Sequence, residues 1–340
     1  MEKLLEVKNL KTSFNTHLGN VQAVRGVSFH IGKGEALGIV GESGCGKSVT
    51  MMSIMKLLAK NANIKSDEII FNGKDISNFS EREMEKIRGA EMGMIFQDPM
   101  TSLNPLYTIG NQLTEHLMKH KKISKKEAWK KGIEMLELVG IPSPESRMKQ
   151  YPHEFSGGMR QRAMIAISLI CEPNLIIADE PTTALDVTIQ AQILDLMKNL
   201  KEKLETSIIL ITHDLGVVAD LCSRINVMYG GIIVESGTAE DIFYRGKHPY
   251  TWGLLKSVPN PLSELKEKLI PIDGQPPDLL KPPVGCPFAD RCEHTMRICM
   301  ENQPPLFKIN EGHEAACWLC GKNAPKVETT VREEVLHGKK

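Results

Sequence analysis

The sequence lacks several features that would each indicate a particular class of protein. It has no run of the roughly 18 apolar residues that cross a bilayer, and its opening, MEKLLEVKNL, has no apolar core of a secretory signal. It has no basic excess, since Lys+Arg and Asp+Glu both number 42, so nonspecific nucleic-acid binding gains no support. We therefore expect a chain that stays in the cytoplasm unless a partner holds it at a membrane.

The composition is ordinary except for the placement of the cysteines. The 340 residues are 41% hydrophobic and 25% charged, which suits one large domain with a smaller one, or two domains. Five of the eight cysteines fall close together near the end: Cys286, Cys292, Cys299, Cys317 and Cys320. In a reducing compartment such a cluster favours a metal site over a set of disulfides.

Short apolar runs alternate with helical patterns over residues 1–250. The runs are ALGIV (36–40), MGMIF (92–96), LIIA (175–178) and SIILI (207–211). They predict buried strands of a mostly parallel sheet, hence an α/β core with helices on its faces. Helical signals alone fill residues 98–162, where Ser124-Lys-Lys-Glu127 predicts a capping box.

These changes of texture predict three segments. Residues 1–248 form the α/β domain with its helical insertion at about 98–162. Residues 249–325 are rich in proline and cysteine, with little room for a core of their own, so a bound metal would have to stabilise them. Residues 326–340 are polar and of mixed charge, and we expect a disordered tail there.

A glycine-rich segment after the first run matches G-x-x-x-x-G-K-[ST] in full. It lies between a predicted strand and a predicted helix, the context in which backbone N–H groups and a helix N-terminus hold phosphate. Its lysine would reach the β- and γ-phosphates and its serine would ligate Mg²⁺. An accidental glycine turn is the alternative. The residues are Gly41, Glu42, Ser43, Gly44, Cys45, Gly46, Lys47 and Ser48, with Val49 following.

Two acidic side chains, Asp179 and Glu180, end the predicted strand LIIA. Carboxylates at the end of a buried strand are costly unless a cation or hydrogen bonds compensate them. Asp179 suits a Mg²⁺ ligand and Glu180 a general base for the attacking water. Taken alone, the pair could equally mark a strand that simply emerges into solvent. The phosphate loop elsewhere in the chain favours the first interpretation.

A third motif, Ser156-Gly157-Gly158, precedes another predicted helix. A serine and two glycines at a helix start can bind an anion, although a plain N-cap is the simpler interpretation for an isolated motif. It lies upstream of the paired acids. The order of the motifs therefore carries more information than this one by itself.

That order resembles the ATPase subunits of ABC transporters. Ile95-Phe-Gln97-Asp98 is similar to their glutamine loop, Thr183-Ala-Leu-Asp186 to their D-loop and Ile211-Thr-His213-Asp214 to their switch histidine. The match covers about residues 4–245 with every motif in order. It implies a P-loop NTPase fold of the ABC ATPase type, in which residues 98–162 form the helical subdomain.

The resemblance also implies roles for individual residues. Two ATPase subunits would face each other head to tail, each ATP lying between one subunit's phosphate loop and the other's Ser-Gly-Gly signature. Glu180, His213, Gln97 and Lys47 would be catalytic. Mg²⁺ would be held through Ser48, Gln97 and Asp179. Phe14 would stack on adenine and Asp186 would contact the nucleotide, although a single Phe near a strand is more often a core residue.

Finer features resemble one branch of the family. The signature FSGGMRQR and the segment His248-Pro-Tyr-Thr251 are similar to the D-type ATPase of oligopeptide and dipeptide importers. Met159 stands where the commonest signature has Gln. The resemblance implies a heterodimer with an F-type ATPase, two transmembrane permeases, an extracytoplasmic peptide-binding protein acting indirectly, and a location on the cytoplasmic face of the membrane. A homodimer of the isolated chain stays open.

The cysteine spacing C-x5-C-x6-C-x17-C matches neither the tight pairs of structural zinc sites nor common ferredoxin motifs. Four thiolates can hold Zn²⁺ or a [4Fe–4S] cluster. The resemblance favours [4Fe–4S] on Cys286, Cys292, Cys299 and Cys317, with Cys320 as the competing fourth ligand. Zinc and no metal are the alternatives.

Three other questions stay open at this point. An ABC ATPase acting on DNA or ribosomes would usually carry tandem units or a long coiled coil, which the sequence lacks. A redox sensor would not need Asp179, Glu180 and His213. The cargo could be a peptide or another small solute such as a metal chelate. Cys45, beside Lys47, is either a tolerated small residue or a thiol of lowered pKa.

Overall fold

A computed structural model of the chain describes residues 2–183, 186–257 and 271–327. The strands in chain order are β1 (Lys3–Thr16), β2 (Gly19–Gly32), β3 (Ala36–Val40), β4 (Ala62–Lys65), β5 (Glu68–Phe71), β6 (Lys74–Asp75), β7 (Met92–Ile95), β8 (Leu175–Asp179), β9 (Ser207–Thr212), β10 (Arg224–Tyr229), β11 (Ile232–Thr238), β12 (Phe307–Asn310) and β13 (His313–Ala315).

The helices in chain order are α1 (Lys47–Ile54), α2 (Glu81–Ile87), α3 (Pro99–Ser102), α4 (Ile109–Lys121), α5 (Lys125–Leu138), α6 (Pro144–Arg147), α7 (Gly157–Leu169), α8 (Val187–Leu204), α9 (Leu215–Leu221), α10 (Ala239–Arg245), α11 (Pro249–Lys256) and α12 (Arg297–Glu301). Short 3₁₀ turns lie at Pro152–Glu154, Ala289–Arg291 and Trp318–Cys320. None of the helices in the described part of the chain has the length and apolarity needed to span a bilayer.

The chain divides into two compact units. The first comprises Met1–Leu4, Ile31–Ala36 and Asn78–Ile211, and the second comprises Leu5–His30, Leu37–Ser77 and Thr212–Lys340. The phosphate loop and the cysteine-rich segment therefore belong to one unit, and the paired acids with the Ser-Gly-Gly turn belong to the other.

The first unit is built on the parallel strands β7, β8 and β9. Every residue of these strands is buried, which is what short uninterrupted apolar runs predict for a parallel sheet. The register pairs Ile95 with Ala178 and Asp179 with Ile211. The carboxyl ends of β7 and β8 consequently share one edge of the sheet, and the residues that follow these strands leave the sheet there.

Helices fill the chain between β7 and β8, and no strand occurs in residues 96–174. The serine of the predicted capping box, Ser124, accepts a hydrogen bond from the backbone N–H of Glu127 and begins α5. That helix ends at Leu138, two residues before Gly140, whose φ of 73° is left-handed. A helical insertion at this place is what the sequence predicts.

The second unit contains an antiparallel sheet in the order β2-β1-β5-β6, with β4 also paired to β1. It also contains β3 paired in parallel with β10, and β10, β11, β13 and β12 paired antiparallel in that order. The strands β12 and β13 come from the cysteine-rich segment. That segment therefore adds to the edge of a sheet, an arrangement that its proline-rich sequence does not predict.

Candidate functional site

The phosphate loop joins β3 to α1, as the sequence predicts. Gly41 and Gly46 have φ angles of 154° and 101°. A Cβ atom on Gly41 would lie 2.2 Å from the carbonyl oxygen of Met228, and one on Gly46 would lie 2.5 Å from that of Ala23. Only glycine fits at either position, because the backbone conformation and the close neighbours both exclude a side chain.

Lys47 is buried at the first position of α1. Its ammonium donates hydrogen bonds to the carbonyl oxygens of Gly41 (2.7 Å) and Glu42 (2.9 Å). Ser43 and Gly44 at the tip of the loop are exposed, and Ser48 and Val49 are half-buried. A buried ammonium beside a left-handed glycine loop and a helix N-terminus can stabilise the negative charge of a phosphate group.

Cys45 is a buried thiol within this loop. Burial raises its pKa, and the nearby ammonium of Lys47 only partly opposes that effect. The alternative of a thiol with a lowered pKa is therefore wrong, because desolvation of the thiolate outweighs the neighbouring positive charge. The small buried residue is the interpretation that fits.

Glu42 is a loop residue whose environment the sequence does not predict. Arg291 forms a two-pronged ion pair with its carboxylate at 2.6 and 3.0 Å, and this pair raises the pKa of the guanidinium above its ordinary value. The Glu42 backbone N–H donates to the hydroxyl oxygen of Tyr250 at 2.7 Å. No local sequence signal identifies these partners, which lie more than 200 positions away.

The first unit places two predicted catalytic side chains together. Nε2 of Gln97 donates to Oε2 of Glu180 at 3.0 Å, and the hydroxyl of Thr183 donates to the same oxygen at 2.9 Å. Glu180 has a left-handed φ of 47°, and its backbone N–H donates to the carbonyl of Ile211. Asp179 is buried at the end of β8, 5% exposed. A strained residue held by several partners is typical of functional sites.

The Ser-Gly-Gly turn forms the start of α7. Ser156 is its N-cap and accepts from the backbone N–H of Met159 at 3.4 Å. Ser156 and Gly157 are exposed, and no heavy atom lies within 4 Å of the position a Cβ on Gly157 would take. Ile189 is the nearest group to a Cβ on Gly158, at 3.4 Å. The turn is therefore open on its outer side.

The remaining predicted site residues lie apart from these contacts. Asp186 is the N-cap of α8 and accepts from the backbone N–H of Ile189, whereas the intervening Ala184 and Leu185 of the D-loop are outside the described residues. His213 is exposed and directly follows β9, and Phe14 is half-buried in β1, opposite Ala62. Their roles toward nucleotide stay predictions.

Four of the predicted cysteine ligands line one cavity of about 10 Å³: Cys286, Cys292, Cys299 and Cys317. His248 and Trp318 also line it, and Cys320 does not. Burial raises the pKa of Cys286 to about 11, and mutual repulsion with the thiolates of Cys299 and Cys292 raises it further. The preference for Cys317 over Cys320 agrees with this placement.

The cysteines are not arranged for a single metal ion. Within residues 2–183, 186–257 and 271–327, no group of three or more His, Cys, Asp or Glu side chains is placed to hold one. The zinc alternative accordingly finds no support in the geometry, because structural zinc needs four ligands that converge on one point.

Glu235 forms a second buried centre that sequence reasoning missed. Its fully buried carboxylate accepts hydrogen bonds from Nε2 of His313 (2.8 Å) and the hydroxyl of Thr251 (2.6 Å). It also accepts from the backbone N–H groups of Lys247 (2.6 Å) and His248 (3.0 Å). These contacts tie β11 to the segment before α11 and to β13.

Comparisons with known proteins agree with this geometry. The family model for ABC transporters matches residues 24–183, and the model for the C-terminal region of oligopeptide/dipeptide transporters matches residues 234–299. The chain is 59% identical to the oligopeptide transport ATP-binding protein OppD of Bacillus subtilis, over 96% of this chain and 91% of that protein. It is 58% identical to the dipeptide transport ATP-binding protein DppD of the same organism, over 95% and 97%.

A solved structure shows the same architecture. The dimer of the ATP-binding cassette MJ0796 with ADP and Pi is 27% identical, with a TM-score of 0.62, over 69% of this chain and 98% of that one. The fold and the phosphate loop define an ABC-type ATPase. The chain belongs to the ABC transporter family, among the ATP-binding proteins of oligopeptide and dipeptide transporters.

Proposed function

We propose that this chain is the ATP-hydrolysing subunit of a peptide import system and couples ATP binding and hydrolysis to translocation of the peptide. The observation that carries the proposal is the near full-length similarity to peptide transport ATP-binding proteins, at 59% and 58% identity. The intact phosphate loop, with Lys47 buried in it, supports the ATPase activity.

ATP with Mg²⁺ is the cofactor, and each part of the site has an assigned task. Lys47 and the loop amides bind the β- and γ-phosphates, while Ser48, Asp179 and Gln97 serve the Mg²⁺ ion. Glu180 acts as general base on the attacking water. The hydrogen bond from Gln97 to Glu180 supports a role for Gln97 in orienting that base as well as in sensing the ion.

The remaining nucleotide contacts follow from the head-to-tail dimer of this family. His213 contacts the γ-phosphate, Phe14 stacks on adenine, and Asp186 lies beside the signature. Ser156, Gly157 and Gly158 close over the ATP of the other subunit. The open outer side of their turn supports this assignment, because nothing in the first unit covers Gly157.

The partners are a second ATPase subunit of the F type, two transmembrane permeases and, indirectly, an extracytoplasmic peptide-binding protein. The Met159 departure from the commonest signature supports a dimer with two unlike ATP sites. The chain works on the cytoplasmic face of the membrane, held there by the permeases. A metal chelate is the alternative cargo, because the transported solute need not touch this subunit.

The four cysteines that share a cavity hold a [4Fe–4S] cluster. A cubane binds one thiolate at each of its irons, so its ligands surround a volume and do not converge on one point. Cys286, Cys292, Cys299 and Cys317 surround a cavity in this way. The cavity is small, about 10 Å³, so the segments that carry the thiols must part to admit a cluster. We assign it a structural role in the cysteine-rich segment.

Uptake measured in vesicles that contain both permeases and the two ATPase subunits tests the main proposal. We expect ATP-dependent uptake of labelled di- and oligopeptides with wild type and none with Lys47→Met, which removes the ammonium but keeps an apolar side chain in the loop. Uptake of a labelled nickel chelate with no uptake of peptides would establish the alternative cargo. Absence of ATP hydrolysis by the complete assembly would reject the ATPase assignment.

A further inference from the structure

The cysteine-rich segment reaches into the phosphate loop through one side chain. Arg291 donates from both terminal nitrogens to the Glu42 carboxylate, at 2.6 and 3.0 Å. Its side chain is only 4% exposed, and that of Glu42 is 26% exposed. A paired, parallel contact between guanidinium and carboxylate fixes both direction and distance, which a single ion contact does not.

The guanidinium is itself held in place on its other sides. It donates to the carbonyl oxygens of Ile272 (3.0 Å) and Asp273 (2.8 Å) and to the hydroxyl of Tyr229 (3.1 Å). It also lies over the rings of Tyr229 and Phe288, with centroids at 5.7 and 5.9 Å. Arg291 thus has a single position, and Glu42 is held against a rigid group.

Two further groups hold the backbone of Glu42. Tyr250, which is fully buried, accepts from its N–H, and Lys47 donates to its carbonyl oxygen. An incoming phosphate would draw the Lys47 ammonium away from that carbonyl. The contacts from Arg291 and Tyr250 would then be the ones that keep the first residues of the loop in position.

Charge gives Arg291 a second effect. Glu42 is part of the loop that binds a polyanion, and an unpaired carboxylate there would repel the phosphates. The guanidinium neutralises this carboxylate and holds it against the cysteine-rich segment. Removal of the guanidinium should therefore weaken ATP binding more than ADP binding, because ATP carries the larger negative charge.

We propose that Arg291 is a positioning residue for nucleotide binding, through which the cysteine-rich segment holds and neutralises Glu42 of the phosphate loop. The inference rests on the proposed function in one respect, that ATP is the ligand of this loop. It adds that the segment after residue 249 is part of the machinery that prepares the loop for its ligand.

Binding of a fluorescent ATP analogue to the full-length chain, with ATP and ADP as competitors, tests the inference. For Arg291→Met we expect an affinity for ATP about 5- to 150-fold weaker, the usual range of coupling between sites, and a smaller loss for ADP. Adding Glu42→Gln to that variant should restore most of the ATP affinity. Arg297→Met is the matched control, since Arg297 is 91% exposed and pairs only with Glu301 in the described structure; it should bind as wild type does.

Other outcomes would overturn the inference. If Glu42→Gln gives no recovery, or if ATP and ADP lose affinity equally while the unfolding temperature drops, Arg291 is only a structural residue. Arg291→Lys covers the case in which the Met variant does not fold, because it keeps the charge. It should show an intermediate loss with little preference between ATP and ADP, and a loss that differs between the two nucleotides would contradict the neutralising role. Failure of wild type to bind ATP would reject the proposed function instead.

Discussion

Nε2 of Gln97 donates a hydrogen bond of 3.0 Å to Oε2 of Glu180, joining the residue after β7 to the residue after β8. The two strands lie side by side in parallel, so the residues that follow them meet at one edge. Glu180 reaches this position with a left-handed φ of 47°. The contact places the residue predicted to sense Mg²⁺ directly on the predicted general base.

Replacement of that base should separate binding from chemistry. For Glu180→Gln in the complete assembly we expect ATP to bind as it does to wild type, while kcat falls by about 10²–10⁴, the usual contribution of a general base. Single-turnover hydrolysis and equilibrium ATP binding measure the two quantities. Near-normal turnover in this variant would remove Glu180 as the base.

Two glycines of the phosphate loop should differ in what a methyl group costs. Gly44 and Gly46 both have positive φ angles, 80° and 101°, so each alanine variant should lose about 1–2 kcal/mol of unfolding free energy from strain. Gly46→Ala should lose a further ~1–3 kcal/mol from overpacking, because its Cβ would lie 2.5 Å from the Ala23 carbonyl whereas Gly44 faces open space. Urea unfolding without nucleotide measures both variants. Equal losses would show that the loop relaxes freely around residue 46.

The buried carboxylate of Glu235 should be important for the stability of the second unit. Glu235→Ala leaves His313 and three other donors without an acceptor, and breaking a buried pair of this kind costs about 3–5 kcal/mol. Glu301→Ala is the matched control, because its ion pair with Arg297 is exposed and should contribute less than about 1 kcal/mol. Thermal unfolding of the two variants should differ accordingly, and similar losses would contradict the structural importance of Glu235.

The cysteine cavity makes a prediction about colour and iron content. Protein purified without oxygen should contain iron and absorb visible light, and Cys286→Ser should lose both, because it removes one of the four thiols that line the cavity. Cys320→Ser should keep both, since that thiol lies outside the cavity. A colourless wild-type protein without iron would reject the cluster, and loss of iron from the Cys320 variant would make Cys320 the fourth ligand.

His116 on α4 should make the first unit sensitive to acid. Burial lowers its pKa from the ordinary 6.5, the carboxylate of Glu115 raises it and Lys119 lowers it. Below pH 6.5 the unfolded chain therefore binds more protons than the folded one, so the unfolding free energy should decline as the pH falls through that region. His116→Gln should reduce the slope in unfolding measured from pH 7 to pH 5. An unchanged slope would show that other groups determine it, and His153→Gln, at an exposed residue, serves as the control.

The local chain by itself determined where the core strands and the phosphate loop lie. The runs at 36–40 and 175–178 and the segment Gly41–Ser48 became β3, β8 and the loop between β3 and α1, because a buried strand, a left-handed glycine turn and a helix start all depend on residues adjacent in the chain. The same holds for the helical insertion, whose capping serine acts three residues away.

Tertiary structure alone decided which distant residues meet. Nothing in the local pattern pairs Glu42 with Arg291, Gln97 with Glu180, or β13 with β11, because such contacts depend on how strands and loops far apart in the chain are brought together. The choice of Cys317 over Cys320 as a neighbour of the other thiols has the same origin. Spacing along the chain restricts the candidates, and only packing determines which side chains share a cavity.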